Sequence, residues 1–222
     1  ALASIAQIDI RELTILNMLY EIAKACTSLV AQGLDGKMYH GRNLDFGFMF
    51  NWNKNTHTWD LTSALKDLTV NLNFHKGGKL VFKGVTFAGH LGILTGMRPN
   101  AYTISTNTRF GSTLDGLFDF MLHGLGEKEL LIYANRDMLM TCDTFEEAVK
   151  FIEKVPLIAR GAPGNDCMKR LGQYRADLAG IYQVLSSKPT LNKATVYTTV
   201  MSVNDGIVQT ITRDCADPCW FV

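Results

Sequence analysis

Apolar residues recur along this chain with two different periods, and the changes between them mark out its elements. Ile8, Leu13, Leu16, Leu19, Ile22 and Ala23 share one face of a 3.6-residue repeat, which predicts a helix over 8–25. A strand is expected from Cys26 to Ala31 and a return strand from Met38 to Phe46, with Asp35-Gly36 as a two-residue hairpin turn between them. The polar, aromatic stretch NWNKNTHTWD (51–60) reads as a loop. Leu68, Val70, Leu72 and Phe74 then alternate along a strand, and Gly77-Gly78 turns it into the Gly-rich strands of 79–97. AYTISTNTRF (101–110) is a further strand. Helical spacing follows over 113–124, 127–140, 144–154 and 168–186, with Thr144 and Glu147 forming a capping box and RGAPGND (160–166) acting as a breaker. A last hairpin turns across Asn204-Asp205-Gly206. The order of helix, strands, helices and two strands lacks a βαβ alternation, so the pattern predicts an α+β domain of layered antiparallel sheets.

Composition narrows the function classes. The 222 residues are 47% hydrophobic and 19% charged, enough for one sizeable core. Twenty-two basic residues face 21 acidic ones, for a net charge of +1, with no Lys/Arg stripe, so no nucleic-acid partner is expected. No apolar run reaches the ~18 residues of a membrane span. Ala1 opens no signal-peptide pattern, and the chain reads as a segment beginning inside a precursor. His40, His57, His75, His90 and His123 show no ligand spacing, so no metal site is expected. His40 reads as a solvent-facing or supporting residue on the first hairpin. FAGHLGILTG lacks the Lys-Ser/Thr ending of a phosphate loop, and its glycines read as close backbone packing.

The cysteine count is odd: Cys26, Cys142, Cys167, Cys215 and Cys219. RDCADPCW suits a short disulfide loop in an oxidising compartment; the rival reading, a CxxxC metal half-site, lacks two further ligands. Cys26 carries the chemistry. A two-residue turn at Asp35-Gly36 would pair it with Asp45 across the hairpin, with Cβ atoms ~5 Å apart. Arg42, three residues before Asp45, would then face the other way unless a bulge intervened. A guanidinium beside a thiol favours the thiolate, and the α-amino group of a cysteine freed by cleavage after Ala25 has an ordinary pKa of ~8, suited to taking the thiol proton. The competing interpretation is a small core cysteine beside a surface Arg/Asp pair.

The segments CTSLVAQ…YHGRNLDFG, NWNKNTHTWDLTSALKDLTVNLNF, FAGHLGILTGMRP, LSSKPTLNKATVYTTV and RDCADPCW together resemble the acid ceramidases, and the first block is similar to the related N-acylethanolamine-hydrolysing acid amidases. The resemblance runs from about Ile8 onward. It implies an N-terminal nucleophile hydrolase with an αββα sandwich, lysosomal and acid-active, cleaving the N-acyl bond of ceramide without metal or organic cofactor. It implies self-cleavage between Ala25 and Cys26, making 1–25 the end of an α subunit and 26–222 a β subunit. A membrane surface or lipid-presenting activator protein is an implied partner. By position, Cys26 resembles the nucleophile, Arg42 and Asp45 the adjacent pair, and Arg160 a further active-site arginine. Cys215 and Cys219 resemble the family's short disulfide, and Cys167 a cysteine that bridges to the α subunit.

Two departures stand out. Thr108 occupies a place where the family pattern has a site-lining Glu, and Ala159 runs directly into Arg160, where the family has a longer stretch bearing an oxyanion-binding Asn. Three functional readings follow: a ceramidase-like amidohydrolase; a shortened member that binds lipid or a partner without turnover; and a Cys-His hydrolase, which would need a histidine within reach of Cys26.

Overall fold

The computed structural model describes residues 4, 7, 9–18, 24–46, 51–107, 129–155 and 173–219. A first helix, α1 (Ile10–Met18), is shorter than the apolar spacing suggested. Four strands follow one architecture: β1 (Lys24–Gln32), β2 (Met38–Phe46), β9 (Thr195–Ser202) and β10 (Ile207–Thr212) form an antiparallel sheet in the order β1-β2-β9-β10. A second antiparallel sheet runs β5-β6-β7-β8, from β5 (Thr69–Lys76), β6 (Lys79–Phe87), β7 (Thr95–Arg98) and β8 (Tyr102–Ser105).

Three helices cover the sheets. α3 (Leu131–Thr141) lies outside the second sheet, where Tyr102 donates its hydroxyl to Met138 O at 2.9 Å. α4 (Phe145–Lys154) opens on the expected capping box, with Glu147 N–H donating to Thr144 Oγ1 at 3.2 Å. α5 (Leu178–Ser186) packs on the outer face of the first sheet. The long helix expected over 168–186 is interrupted: a short 3-10 turn (Gln173–Arg175) precedes α5, and Asp177 caps the new helix by accepting from Gly180 N–H at 2.7 Å. An Asp side chain satisfies an orphan amide best at a helix start, which favours a break there.

Part of the expected 51–60 loop is ordered. Trp52–Asn53 (β3) and Thr58–Trp59 (β4) pair as a small hairpin, with Trp52 and Trp59 edge to face at 5.1 Å. α2 (Asp60–Leu68), which the alternating pattern concealed, follows at once and pins its buried Thr62 hydroxyl to Phe46 O. The predicted helix over 113–124 lies outside the described residues.

The sandwich has one apolar cluster per interface. Leu44, Phe46, Val85, Phe87 and Tyr197 pack between the sheets; Phe82, Ile93, Met138 and Leu139 pack between the second sheet and its helices; Leu29, Tyr39, Ile181, Leu185 and Val200 pack beneath α5. This is the four-layer α+β arrangement the sequence suggested. Gly41 sets how closely α5 lies on β2. A Cβ there would sit 2.2 Å from Ile181 Cγ2 and 2.7 Å from Leu185 Cδ1.

Gly41→Ala is therefore expected to lower unfolding free energy by about 1–3 kcal/mol through overpacking, read as a drop in the urea midpoint. An unchanged midpoint would mean that α5 moves away at no cost.

Candidate active site

The first hairpin brings the expected residues close together, in a register one residue away from that expected. The turn is not a two-residue Asp35-Gly36 loop. It runs from Gly33 to Lys37, held by Gly33 N–H donating to Lys37 O at 3.0 Å and Gly36 N–H donating to Gly33 O at 3.0 Å. Asp35 stabilises this wider turn by accepting from the Tyr39 hydroxyl at 2.8 Å and from Lys37 N–H at 3.1 Å. Cys26 consequently lies opposite Leu44, and Asp45 lies opposite Ala25.

A slip of one residue exchanges the two faces of a strand. Cys26, Ser28, Arg42 and Leu44 therefore share the inward face, between the sheets, without any bulge in the β1–β2 ladder. Asp45 and Asn43 take the face toward α5. An irregularity does occur beside Asp45, in the β2–β9 ladder, where Leu44 pairs with Tyr197 and Asp45 with Thr195.

Arg42 has no exposure to solvent. Its Nη1 donates to Thr95 Oγ1 at 2.9 Å and to Tyr197 Oη at 3.2 Å, and its Nη2 donates to Thr106 O at 2.6 Å. The guanidinium carbon also lies 5.8 Å from the centre of the Tyr197 ring. Cys26 packs, half-buried, against the same inter-sheet cluster. Burial pushes the Tyr197 phenol up, and the Cys26 charge adds to that while Arg42 opposes it. Thiol, guanidinium and phenol thus share one low-dielectric compartment.

Asp45 is buried behind them. Its Oδ1 accepts from Thr195 Oγ1 at 2.6 Å, and its carboxyl is pushed up to about 6 by loss of hydration, against the pull of Thr195, Asn192 and Arg42. His40, expected to face solvent or to play a supporting part, is buried. Its Nε2 contacts Ser28 Oγ at 2.8 Å and its Nδ1 contacts Thr103 Oγ1 at 2.8 Å. Burial, then the Arg42 charge, lowers its pKa to about 4. It lies opposite Val30, about 13 Å along the strand from Cys26 at ~3.3 Å per residue, so its ring serves Ser28 rather than the thiol. His57, His75 and His90 bond elsewhere.

Arg160, Thr108, Cys167 and His123 lie outside the described residues. Cys215 and Cys219 are joined as a disulfide. Among the described residues no group of three or more His, Cys, Asp or Glu side chains is arranged to hold a metal ion. Sequence reasoning missed Tyr197, Thr95, Thr195 and Ser28. The one available signal was the run of polar residues in TVYTTV, too many for one wet face of a strand that proves buried along its whole length.

The sequence profile of the linear amide C–N hydrolases, choloylglycine hydrolase family, matches residues 26–163, beginning at Cys26. A probable acid ceramidase of Caenorhabditis elegans is 33% identical over 277 residues, covering 99% of this chain and 69% of that protein. The acid ceramidase of Homo sapiens is 32% identical over 275 residues, covering 98% and 69%. A solved Caenorhabditis elegans orthologue of N-acylethanolamine-hydrolyzing acid amidase superposes with a TM-score of 0.61 at 24% identity, over 80% of this chain and 92% of that one, and so shares the fold. An aligned span of 277 against a chain of 222 leaves at least 55 aligned positions without a counterpart here.

The His40 environment has a measurable signature. The unfolded imidazole takes a proton below ~6.5 while the folded one waits until about 4, so His40 costs stability as pH falls through that window. His40→Gln removes that cost together with two hydrogen bonds. Its destabilisation at pH 7 should therefore shrink by about 2–3 kcal/mol at pH 4.5, at ~1.4 kcal/mol per pH unit. Urea unfolding at the two pH values checks this; a penalty independent of pH would mean that the ring is not held neutral.

Proposed function

The chain belongs to the choloylglycine hydrolase family of linear amide C–N hydrolases, and on that footing we propose that it is a ceramidase-like amidohydrolase, splitting the N-acyl bond of a ceramide to a long-chain amino alcohol and a fatty acid. The observation that carries this reading is the shared inward face of Cys26 and the solvent-free Arg42.

Cleavage of the Ala25–Cys26 bond precedes the chemistry. That bond lies within β1, opposite Leu44 and Asp45, so a new amine on Cys26 would emerge beside the Asp45 backbone. The amine takes the thiol proton, and the Arg42 field favours the thiolate. Sulfur attacks the amide carbonyl, the nitrogen leaves with the proton, and water hydrolyses the thioester to release the acid. Arg160, matched by position to a further active-site arginine of the family, is the second guanidinium of this reading. Asp45, neutral below about 6 in the uncut chain, acquires an ionic partner once the amine is free, which favours its charged form. Residues 1–25 and 26–222 become two subunits, in an acidic lysosomal compartment where lipid is presented by a membrane surface or an activator protein. No metal or organic cofactor enters the steps.

A second reading has its own support. The at least 55 unmatched positions allow a shortened family member that binds lipid or a partner without turnover. Loss of one oxyanion donor alone costs about 10²–10³ in rate.

Intact mass after incubation of the purified chain at mildly acid pH separates the two. The amidohydrolase reading expects a new N-terminus at Cys26 and release of fatty acid from an N-acyl amino alcohol, both abolished by Cys26→Ala. An uncut wild type that behaves like Cys26→Ala would leave the second reading in place.

A further inference from the structure

A pocket of about 500 Å³ opens between the first hairpin, the edge strand β8 and helices α3 and α4, starting at Ser28, the next inward-facing residue after Cys26 on β1 and about 7 Å from it along the strand. Its apolar wall includes Val30, Ile104, Met138 and Ile152. The opposite strip is polar, and the direction of its hydrogen bonds can be worked out.

Ser105 Oγ donates to Ser28 Oγ at 2.9 Å. With the neutral ring protonated on Nδ1, Ser28 donates to His40 Nε2 at 2.8 Å and the ring donates to Thr103 Oγ1 at 2.8 Å. Each hydroxyl oxygen has two lone pairs and one proton, so Ser28 and Ser105 retain accepting capacity where they line the pocket. An occupant that meets these oxygens must bring hydrogen-bond donors close to the reacting bond, followed by an apolar tail.

That requirement distinguishes the two ends of an N-acyl amide. A fatty-acyl chain has nothing to donate, and its released carboxylate would find no Lys or Arg among the described lining residues. An amine side bearing hydroxyls donates to every acceptor in the strip, and its released ammonium finds Glu153 at the same pocket. His40, neutral down to about pH 4, places no opposing cation there in mild acid.

We propose that this pocket selects the amine side of the substrate, with Ser28 and Ser105 accepting hydrogen bonds from the hydroxyls of an N-acylated amino alcohol whose amide lies at Cys26. The proposal rests on the reading of Cys26 as the amide-cleaving centre, and it makes Ser28 and Ser105 specificity-determining residues held in place by His40. A site built to bond a substrate hydroxyl rejects an analogue lacking it far more strongly than an apolar pocket rejects a missing methylene.

The test uses the full chain carrying Cys26→Ala, which binds without turnover. Two fluorescent amides in the same detergent are compared, identical in acyl and alkyl chains: an N-acyl 2-amino-1,3-diol, and the same compound with both hydroxyls replaced by hydrogen. Binding of the diol is expected to be at least about tenfold tighter, equivalent to ~1.4 kcal/mol. Adding Ser28→Ala, or Ser105→Ala should the first variant fail to fold, is expected to cut that ratio to about threefold or less. Equal binding of both amides, binding of neither, or a ratio that survives both serine changes overturns the proposal. Hydrolysis by the wild type is scored separately: a diol preference without turnover removes the amidase reading and keeps the pocket, while turnover without preference does the reverse.

Discussion

A guanidinium wholly out of water holds the middle of this sandwich. Burying an isolated charge is expensive unless hydrogen bonds and an opposite charge compensate it. Arg42 meets this demand within its sheet and across the interface: from β2 it bonds Tyr197 on the neighbouring β9, and on the other side Thr95 on β7 and the Thr106 carbonyl beyond β8. The bonds to Thr95 and Thr106 also tie the two sheets together. The half-buried Cys26 thiol on the neighbouring strand shares its face, and a guanidinium beside a thiol favours the thiolate.

That shared face depends on one loop. Had the hairpin closed through two residues, Arg42 would have pointed at α5 and Asp45 at the second sheet, the reverse of what occurs. The Tyr39–Asp35 and Lys37–Asp35 bonds stabilise the wider turn, and the wider turn assigns every residue of β1 and β2 to its face. Gly41 follows from the same assignment, since it is the residue that must lack a side chain where α5 crosses.

Much of the fold was legible because its signals are local. Alternation in 68–74, the capping box at Thr144, the Gly77-Gly78 and Asn204-Asp205-Gly206 turns, and the Cys215–Cys219 loop each depend on a few adjacent residues. α2 was not legible, because nine helical residues lie directly against a strand and the alternation of the strand masks their spacing. At the site, Cys26 and Arg42 were recognisable as a pair, yet their common face was not: register depends on a turn whose side-chain bonds join residues two and four positions apart. Thr95, Thr106 and Tyr197 were invisible for a different reason, since each meets Arg42 only through tertiary pairing, Tyr197 from the adjacent strand and the other two across the sandwich, over separations of 53 to 155 residues.

Opposed protonation behaviour completes the argument. Burial drives Asp45 up and His40 down, so between about pH 4 and 6 both are neutral in the folded chain. In the unfolded chain both would be charged over most of that range. One group takes up a proton on folding and the other gives one up, so their contributions to the pH dependence of stability run in opposite directions. In the uncut chain Arg42 is therefore left as a fixed charge at the inter-sheet layer between about pH 4 and 6, with neither the Asp45 carboxyl nor the His40 ring carrying charge beside it.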